Sequence, residues 1–556
     1  MRAHPVRLAG VAAVALTVLA PLGLVLYQSL LDAPFFSPAA KVNLGAYRYV
    51  LGDPDFHRAL ATSVIIALGM VGIAIPLGGI LAFLVTRTDM PGRRWIEPLL
   101  LAPIFLSPIV LAFGYVVAAG PVGFFSLWVK DLIGTVPWNL YSIGGLILIA
   151  GLTHVPHVYL YTASALEGLN PEVEEAARTA GAGVWRVALT VSLPLVTPAV
   201  VFSGVLVFFL GFELFGLPLV LGDPAGILVL TTYLYKLTNL LGTPSYHLMA
   251  VVAIAIVAIT LPLVYLQRRL LRDTDRYVTV RGKGLAVRAL PLGRYRWLAL
   301  AVVLAWLVAT VGVPLSGVAL RSVVATWGEG VRLTEVLTLH HFEELLQYPN
   351  LVRGIANTLL IASLGGALAV AVYAGIALVS HRWQGRGAML LDYLVMAPRA
   401  MPGLIAGLAF LWIFLFYRPL APFRSTLISL WLAYTVVWLA YGLRLISSAL
   451  YQIGPELEEA ARVGGAAQGR VYRDVTLPLV RFGLLGSWLL IFMMFCREYS
   501  TGVYLLGPNT EVIGSLIVSL WGTGALDLIA ALSVINVLLI GAGLAGALRL
   551  GVRLRA

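Results

Sequence analysis

PEVEEAARTAGAGVWRVALTVSLPLV, residues 171–196, returns as PELEEAARVGGAAQGRVYRDVTLPLV at residues 455–480. In both copies a Glu-Ala-Ala is followed by a glycine six residues after the glutamate. A Leu-Pro then follows, its proline thirteen residues beyond that glycine. Each copy is a polar cassette set between strongly apolar segments. Two distant loops that keep one pattern imply two equivalent docking surfaces, and so a partner with two equivalent sockets.

The cassette reads as two short helices joined by a turn. Asn170-Pro171-Glu172 is a good helix start, with Asn as cap, Pro in the first turn and an acid near the positive dipole end. Gly454-Pro455-Glu456 repeats it with a weaker cap. Helical spacing puts Val173, Ala176, Ala177 and Ala180 on one side and Glu172, Glu175 and Arg178 toward the other. Gly181 and Gly465 offer a left-handed turn. A second helix follows, with Val184, Val187 and Val191 in helical register. Leu193-Pro194 is expected to end it and to open the next span. One such copy would pass as an ordinary amphipathic surface helix. Two at matching places in two halves argue for docking.

Composition fixes the setting. The chain of 556 residues is 60% hydrophobic and 12% charged, against about 25% charged in average soluble proteins. Its mean hydropathy is +0.93. Apolar runs of about 20 residues are long enough to cross a hydrocarbon core as helices. The expected fold is all-α: a polytopic membrane protein of about twelve transmembrane helices. The spans are expected at about 8–30, 59–86, 96–118, 143–165, 194–216, 246–267, 297–320, 355–380, 390–416, 426–449, 478–496 and 525–549. The N-terminal run lacks a clear cleavage site and reads as an anchor rather than a signal peptide. The net charge of +12 is scattered over loops, which fits membrane topology better than a nucleic-acid site. The single cysteine, Cys496, permits no internal disulfide.

The halves repeat beyond the cassette. RALATSVIIA from Arg58 resembles RGIANTLLIA from Arg353, and Ala102-Pro103 recurs as Ala397-Pro398. The expected organisation is a first unit at 1–267 with its loop at 166–193, a basic linker at 268–296, and a second unit at 297–556 with its loop at 450–477. The repeats are parallel, with six spans each. Arg87–Arg94, the linker, His381–Gly387 and the basic tail fall on one side, which the positive-inside rule makes cytoplasmic. Both termini and both cassettes share that side.

The Glu-Ala-Ala, glycine, Leu-Pro pattern resembles the coupling loop of binding-protein-dependent ABC importer permeases, and the repeat extends the resemblance over most of the chain. The resemblance implies two fused permease units in a bacterial inner membrane. Glu175, Ala176, Ala177 and Gly181 would meet one ATPase subunit, and Glu459, Ala460, Ala461 and Gly465 a second copy. It also implies a periplasmic or extracellular solute-binding protein. The second cassette departs in detail, with Gly464-Gly465 and the polar Arg470, Arg473 and Asp474. No G-x-x-x-x-G-K-[ST] phosphate loop occurs in the sequence. The chain is therefore expected to hold no cofactor and to act as no enzyme, with Mg-ATP bound on partner chains.

Ionisable residues within spans mark candidate passages. Glu213 and Glu498 stand nineteen and twenty residues beyond Pro194 and Pro478. At 1.5 Å per residue both are expected roughly 30 Å outward, near the outer boundary. They form a candidate carboxylate gate with Arg497 and Tyr499; the competing reading makes them interfacial helix caps. The segments around Glu213 and Arg497–Ser500 resemble those of fused ferric-iron permeases, and iron prefers oxygen ligands. Thiamine, polyamine and phosphonate permeases share the architecture. His154 and His157 are spaced for one helical face. Inter-helix hydrogen bonding suits them better than a metal, since no carboxylate completes a site. Pro103, Pro398 and Pro402 are expected to kink or break helices. A twelve-span secondary transporter is the alternative of another class, but it leaves the cassettes without a task.

Overall fold

The computed structural model describes residues 5–239, 244–274, 289–383 and 385–550. Among these the secondary structure is helical apart from three isolated bridges. Among the described residues nine helices are long and apolar enough to cross a membrane, and four further bent pairs bring the candidate spans to thirteen. The expected all-α membrane fold is therefore present. The expected twelve spans map onto this set. The additional element is the pair Pro218–Ala225 and Leu230–Thr238, bent by 77°. Its brevity and its break at Gly226 hid it from a search for unbroken apolar runs.

Proline placement accounts for several breaks. The helix Arg386–Ala400 turns by 103° into Gly403–Phe416 at Met401-Pro402. The expected third span at 96–118 is three pieces: Arg93–Leu100, Ala102–Phe105 and Pro108–Ala119. Pro103 and Pro108 sit in the first turns of the last two, where a missing N–H does no harm.

The two units interlock. The opening helix of the first unit, Pro5–Ser29, packs on Gly366–Ser380, Arg386–Met396 and Gly403–Phe416 of the second. The opening helix of the second, through Val313–Ser322, packs on Pro108–Ala119 of the first. The crossing is close because small residues line it. Gly114 lies against Pro314 and Gly317 against Ala118, and the Tyr115 hydroxyl donates to Ala309 O at 2.8 Å.

The expected linker boundaries shift. The helix Tyr246–Thr274 runs past residue 268, and 275–288 lie outside the described residues, as do Arg2 and most of the basic tail. The far end of the linker is anchored: Leu290 N–H donates to Arg87 O at 2.8 Å and Leu292 N–H to Asp89 Oδ1 at 2.8 Å. From there the chain crosses through Gly293–Ser322 and returns through Pro349–Ser380 to His381. Arg7 lies over the Trp383 ring at 5.4 Å. The starts of both units, the linker end and both cassettes thus share one face.

Candidate functional site

Each cassette folds as its sequence suggests. The first helices are Pro171–Thr179 and Pro455–Val463. The Asn170 side chain accepts from Glu172 N–H at 3.1 Å; Gly454 supplies no side-chain cap. Gly181 and Gly465 take φ of +87° and +83°. Around them Ala182 N–H donates to Ala177 O and Ala466 N–H to Ala461 O, each at 3.0 Å. This is the same helix-ending turn built twice.

The Leu-Pro pairs do not end the second helices. Gln468–Arg497 runs uninterrupted through Pro478. In the first copy the helix continues to Leu195 and bends by 71° before Thr197–Glu213. Each Leu-Pro pair follows directly on a π-helical turn, Ala188–Ser192 and Tyr472–Thr476, so the helix passes its proline by widening one turn. The bend falls instead at Val196, just before Thr197-Pro198, where the second copy has Arg481-Phe482.

The acid that anchors each cassette stands one residue before the glutamate expected to meet the ATPase. Glu175, Ala176 and Gly181 are exposed and Ala177 half-buried; Glu459, Ala460 and Gly465 are exposed and Ala461 half-buried. These residues are free to meet a partner. The preceding residues, Glu174 and Glu458, are buried. Arg87 Nε donates to Glu174 Oε1 at 2.9 Å, Arg87 Nη2 lies 2.8 Å from Oε2, and the Ser192 hydroxyl donates to Oε1 at 2.6 Å. In the second unit Arg382 Nε donates to Glu458 Oε2 at 2.8 Å, with Thr476 Oγ1 on Oε1 at 3.2 Å. The register that carries Gly181 onto Gly465 carries Glu174 onto Glu458 and Ser192 onto Thr476. The register that carries Ala102-Pro103 onto Ala397-Pro398 carries Arg87 onto Arg382. One lock is therefore built twice, clamping the cassette helix to the end of the second span of its own unit. The second copy adds His381, whose Nε2 sits 3.0 Å from Glu458 Oε1. Burial pushes the Glu458 carboxyl up, but His381 and Arg382 together hold it below the usual range.

Around the cassettes Val173, Trp185, Leu457 and Val463 expose 46%, 49%, 51% and 89% of their surface. On a face rich in charge, such apolar groups suit a protein partner.

The candidate gate differs from its expected form. Glu213 and Arg497 are each the last residue of their helix, Thr197–Glu213 and Leu477–Arg497. The cassette register pairs these two, so equivalent places carry opposite charges rather than two carboxylates. Glu498 occupies the next position and is engaged by its own unit. It accepts from Trp438 Nε1 at 3.1 Å, Ser500 Oγ at 3.0 Å, and Thr501 N and Oγ1 at 3.1 Å each. Tyr499 is equivalent to Phe215. Their rings stack 6.1 Å apart at 6°, and the Tyr499 hydroxyl accepts from Gly216 N–H at 2.9 Å. The approximate twofold axis passes between them.

These groups also lie near the midpoint of another helix of the first unit. Glu213 is within electrostatic reach of Arg399, Arg497 and Glu498. Arg497 in turn reaches His154 and His157, in the middle of the helix Ile143–Glu167. His154 bonds within its own helix, Nδ1 to Ala150 O at 2.7 Å, not to a neighbour. The His154 and His157 rings stack at 5.4 Å, and His157 Nδ1 is buried without a partner among the described residues. No group of three potential metal ligands occurs among the described residues.

Residues 74–276 and 367–553 each match the family model of the binding-protein-dependent transport system inner membrane component. The chain belongs to that family. It is thus a multi-pass inner-membrane permease component rather than an enzyme. The ferric transport system permease protein FbpB of Actinobacillus pleuropneumoniae is 24% identical over 502 residues, 88% of this chain and 69% of that protein. The molybdenum transport system permease protein ModB of Escherichia coli (strain K12) is 32% identical over 159 residues, 29% of this permease and 68% of ModB. A crystal structure of a bacterial ABC transporter involved in alginate import aligns at a TM-score of 0.38 and 18% identity. It covers 47% of this permease and 98% of that chain.

Proposed function

We propose that this permease forms the whole membrane passage of an ATP-driven importer, with ferric iron as its cargo. The observation that carries the reading is the duplicated lock: two cassette helices, each clamped through a buried glutamate and ended by a left-handed glycine. Such rigid elbows can pass a push from a partner to the spans above them. Two copies of an ATPase subunit would seat on Glu175, Ala176, Ala177 and Gly181 and on Glu459, Ala460, Ala461 and Gly465, and would bind Mg-ATP themselves. The shared face of cassettes, linker and unit starts is then cytoplasmic. An extracytoplasmic binding protein delivers cargo to the opposite face, and alternating access carries it past Glu213, Arg497, Glu498 and Tyr499. Iron is favoured because relatives named for ferric transport align along most of the chain at 24% identity.

The test is uptake of iron-55 into proteoliposomes holding the permease, its cognate ATPase and binding protein, with thiamine, putrescine and phosphonate as competitors. The reading requires ATP-dependent iron uptake that the competitors do not reduce. Uptake that proceeds without the ATPase would refute the importer; competition by one of the others would reassign the cargo.

A further inference from the structure

Three arginines, one exposed and two half-buried, gather near only two carboxylates, Glu213 and Glu498. Arg399 lies in the turn Ala397–Ala400, Arg444 in the helix Leu439–Tyr451, and Arg497 at the end of Leu477–Arg497. None forms a hydrogen bond or ion pair through its side chain among the described residues. Arg399 and Arg444 line one cavity of about 550 Å³, walled otherwise by Gln267 and by apolar and aromatic groups such as Leu261, Tyr265 and Met396. Arg399 reaches Arg444 on one side and Glu213 on the other, and Glu213 reaches Arg497. The four form a chain of charges from the cavity to the Phe215–Tyr499 stack. His154, His157 and Tyr161 follow helical spacing along one face of Ile143–Glu167. All three are half-buried and within electrostatic reach of Arg399 or Arg497.

The sign of this assembly is positive. Three guanidinium groups face two carboxylates, and Glu498 already accepts four hydrogen bonds. An unpaired arginine at membrane depth is expensive unless it faces water or a counter-ion. A bare trivalent cation would meet charge of its own sign in a low-dielectric setting. The guanidinium fork instead matches the paired oxygens of carboxylate, phosphate and related oxyanions. We propose that the passage selects an oxyanion, travelling free or as the ligand shell of a metal ion, and excludes the bare cation. This rests on the importer reading and specifies the form in which its cargo moves.

The test uses the reconstituted full chain with cognate ATPase and binding protein. Iron-55 is supplied with carbon-14 citrate or phosphorus-32 phosphate, and molybdenum-99 molybdate is supplied alone. The proposal expects iron to enter together with its ligand label, or molybdate to enter by itself; the first outcome identifies a metal-borne oxyanion and the second a free one. Arg399→Gln with Arg444→Gln should lower that uptake by about tenfold or more, and Arg399→Lys with Arg444→Lys should restore most of it. The single Arg444→Gln change, at an exposed side chain, guards against misfolding and should move uptake in the same direction. Iron entering without its ligand label overturns the proposal, as does undiminished uptake by the Gln variants. Wild-type permease that binds no ATPase would sink the importer reading instead. Calorimetric titration of the isolated permease with citrate and molybdate then still decides the passage: binding weakened by Arg399→Gln supports it, and no binding overturns it.

Discussion

Arg87 and Glu174 meet with their side chains 0% and 5% exposed, joining the end of one membrane span to a helix that begins far along the chain. Glu174→Ala leaves a buried guanidinium without its partner, a loss of about 3–5 kcal/mol at that contact. Glu175→Ala, at an exposed position, should change stability by no more than about 0.5 kcal/mol. Hydrogen exchange of residues 171–179 measures the difference. Equal protection in both variants would show that the lock does not hold the helix.

Gly181→Val and Gly465→Val should each destabilise the cassette turn by roughly 1–2 kcal/mol, because L side chains resist the left-handed region. A Cβ added at either site would meet no neighbouring atom within 4 Å, so the effect is one of backbone alone. Asparagine, which tolerates that region, should restore much of the loss. Binding of the ATPase reads the effect, with membrane insertion unchanged; an Asn variant as poor as Val would point to steric exclusion by the partner instead.

The second lock should respond to acid. Glu458 has a folded pKa held below its ordinary 4.5 by His381 and Arg382, against the upward push of burial. A depressed carboxylate pKa contributes stability above the unfolded value, and that stability is lost as pH falls through the folded value. Proteolytic protection of residues 455–463 should therefore be full above about pH 4.5 and decline below it. Glu458→Gln should abolish that dependence; persistence of the same decline in the variant would assign it to another group.

Tyr499→Phe removes the acceptor for the Gly216 N–H. Leaving that buried group unpaired should cost about 1–3 kcal/mol. A lower thermal midpoint with unchanged ATPase binding is the expected pattern, since the contact lies far from the cassettes. An unshifted midpoint would mean that the two units do not depend on this hydrogen bond.

Glu213 and Glu498 should separate on mutation. Glu213 makes no hydrogen bond among the described residues, whereas Glu498 ties down its own loop. Glu213→Gln, which removes a negative charge beside Arg399 and Arg497, should alter uptake several-fold at normal assembly, while Glu498→Gln should reduce the yield of folded protein, at about 1–3 kcal/mol for the disturbed bonds. Transport per folded molecule distinguishes them, and identical behaviour would contradict the division of roles.

The sequence carried the duplication, because glycine, proline and small-residue positions survive as a pattern independent of contacts. It also carried the apolar spans and the cassette turns. It did not carry the choice between Glu174 and Glu175. Adjacent glutamates on a short helix differ by about 100° in direction, and only Arg87, brought in by tertiary packing, decides which is turned inward. The pairing of residues at the candidate gate was hidden for a related reason. Glu213 and Glu498 looked like partners because both are acids at similar distances from Leu-Pro, but helix ends align Glu213 with Arg497. Nothing local marks Arg399 and Arg444, since only a broken helix and a bent one deliver them to the same cavity.

The exchange of opening helices between the units bears on why they occupy one polypeptide. Split at the linker, each product would be born with a groove that only the other's leading helix fills, and two identical products could close the same groove wrongly. Covalent continuity makes the correct mate the nearest one at every expression level, so Glu213 and Arg497, unlike charges at equivalent places, are always brought within reach of each other.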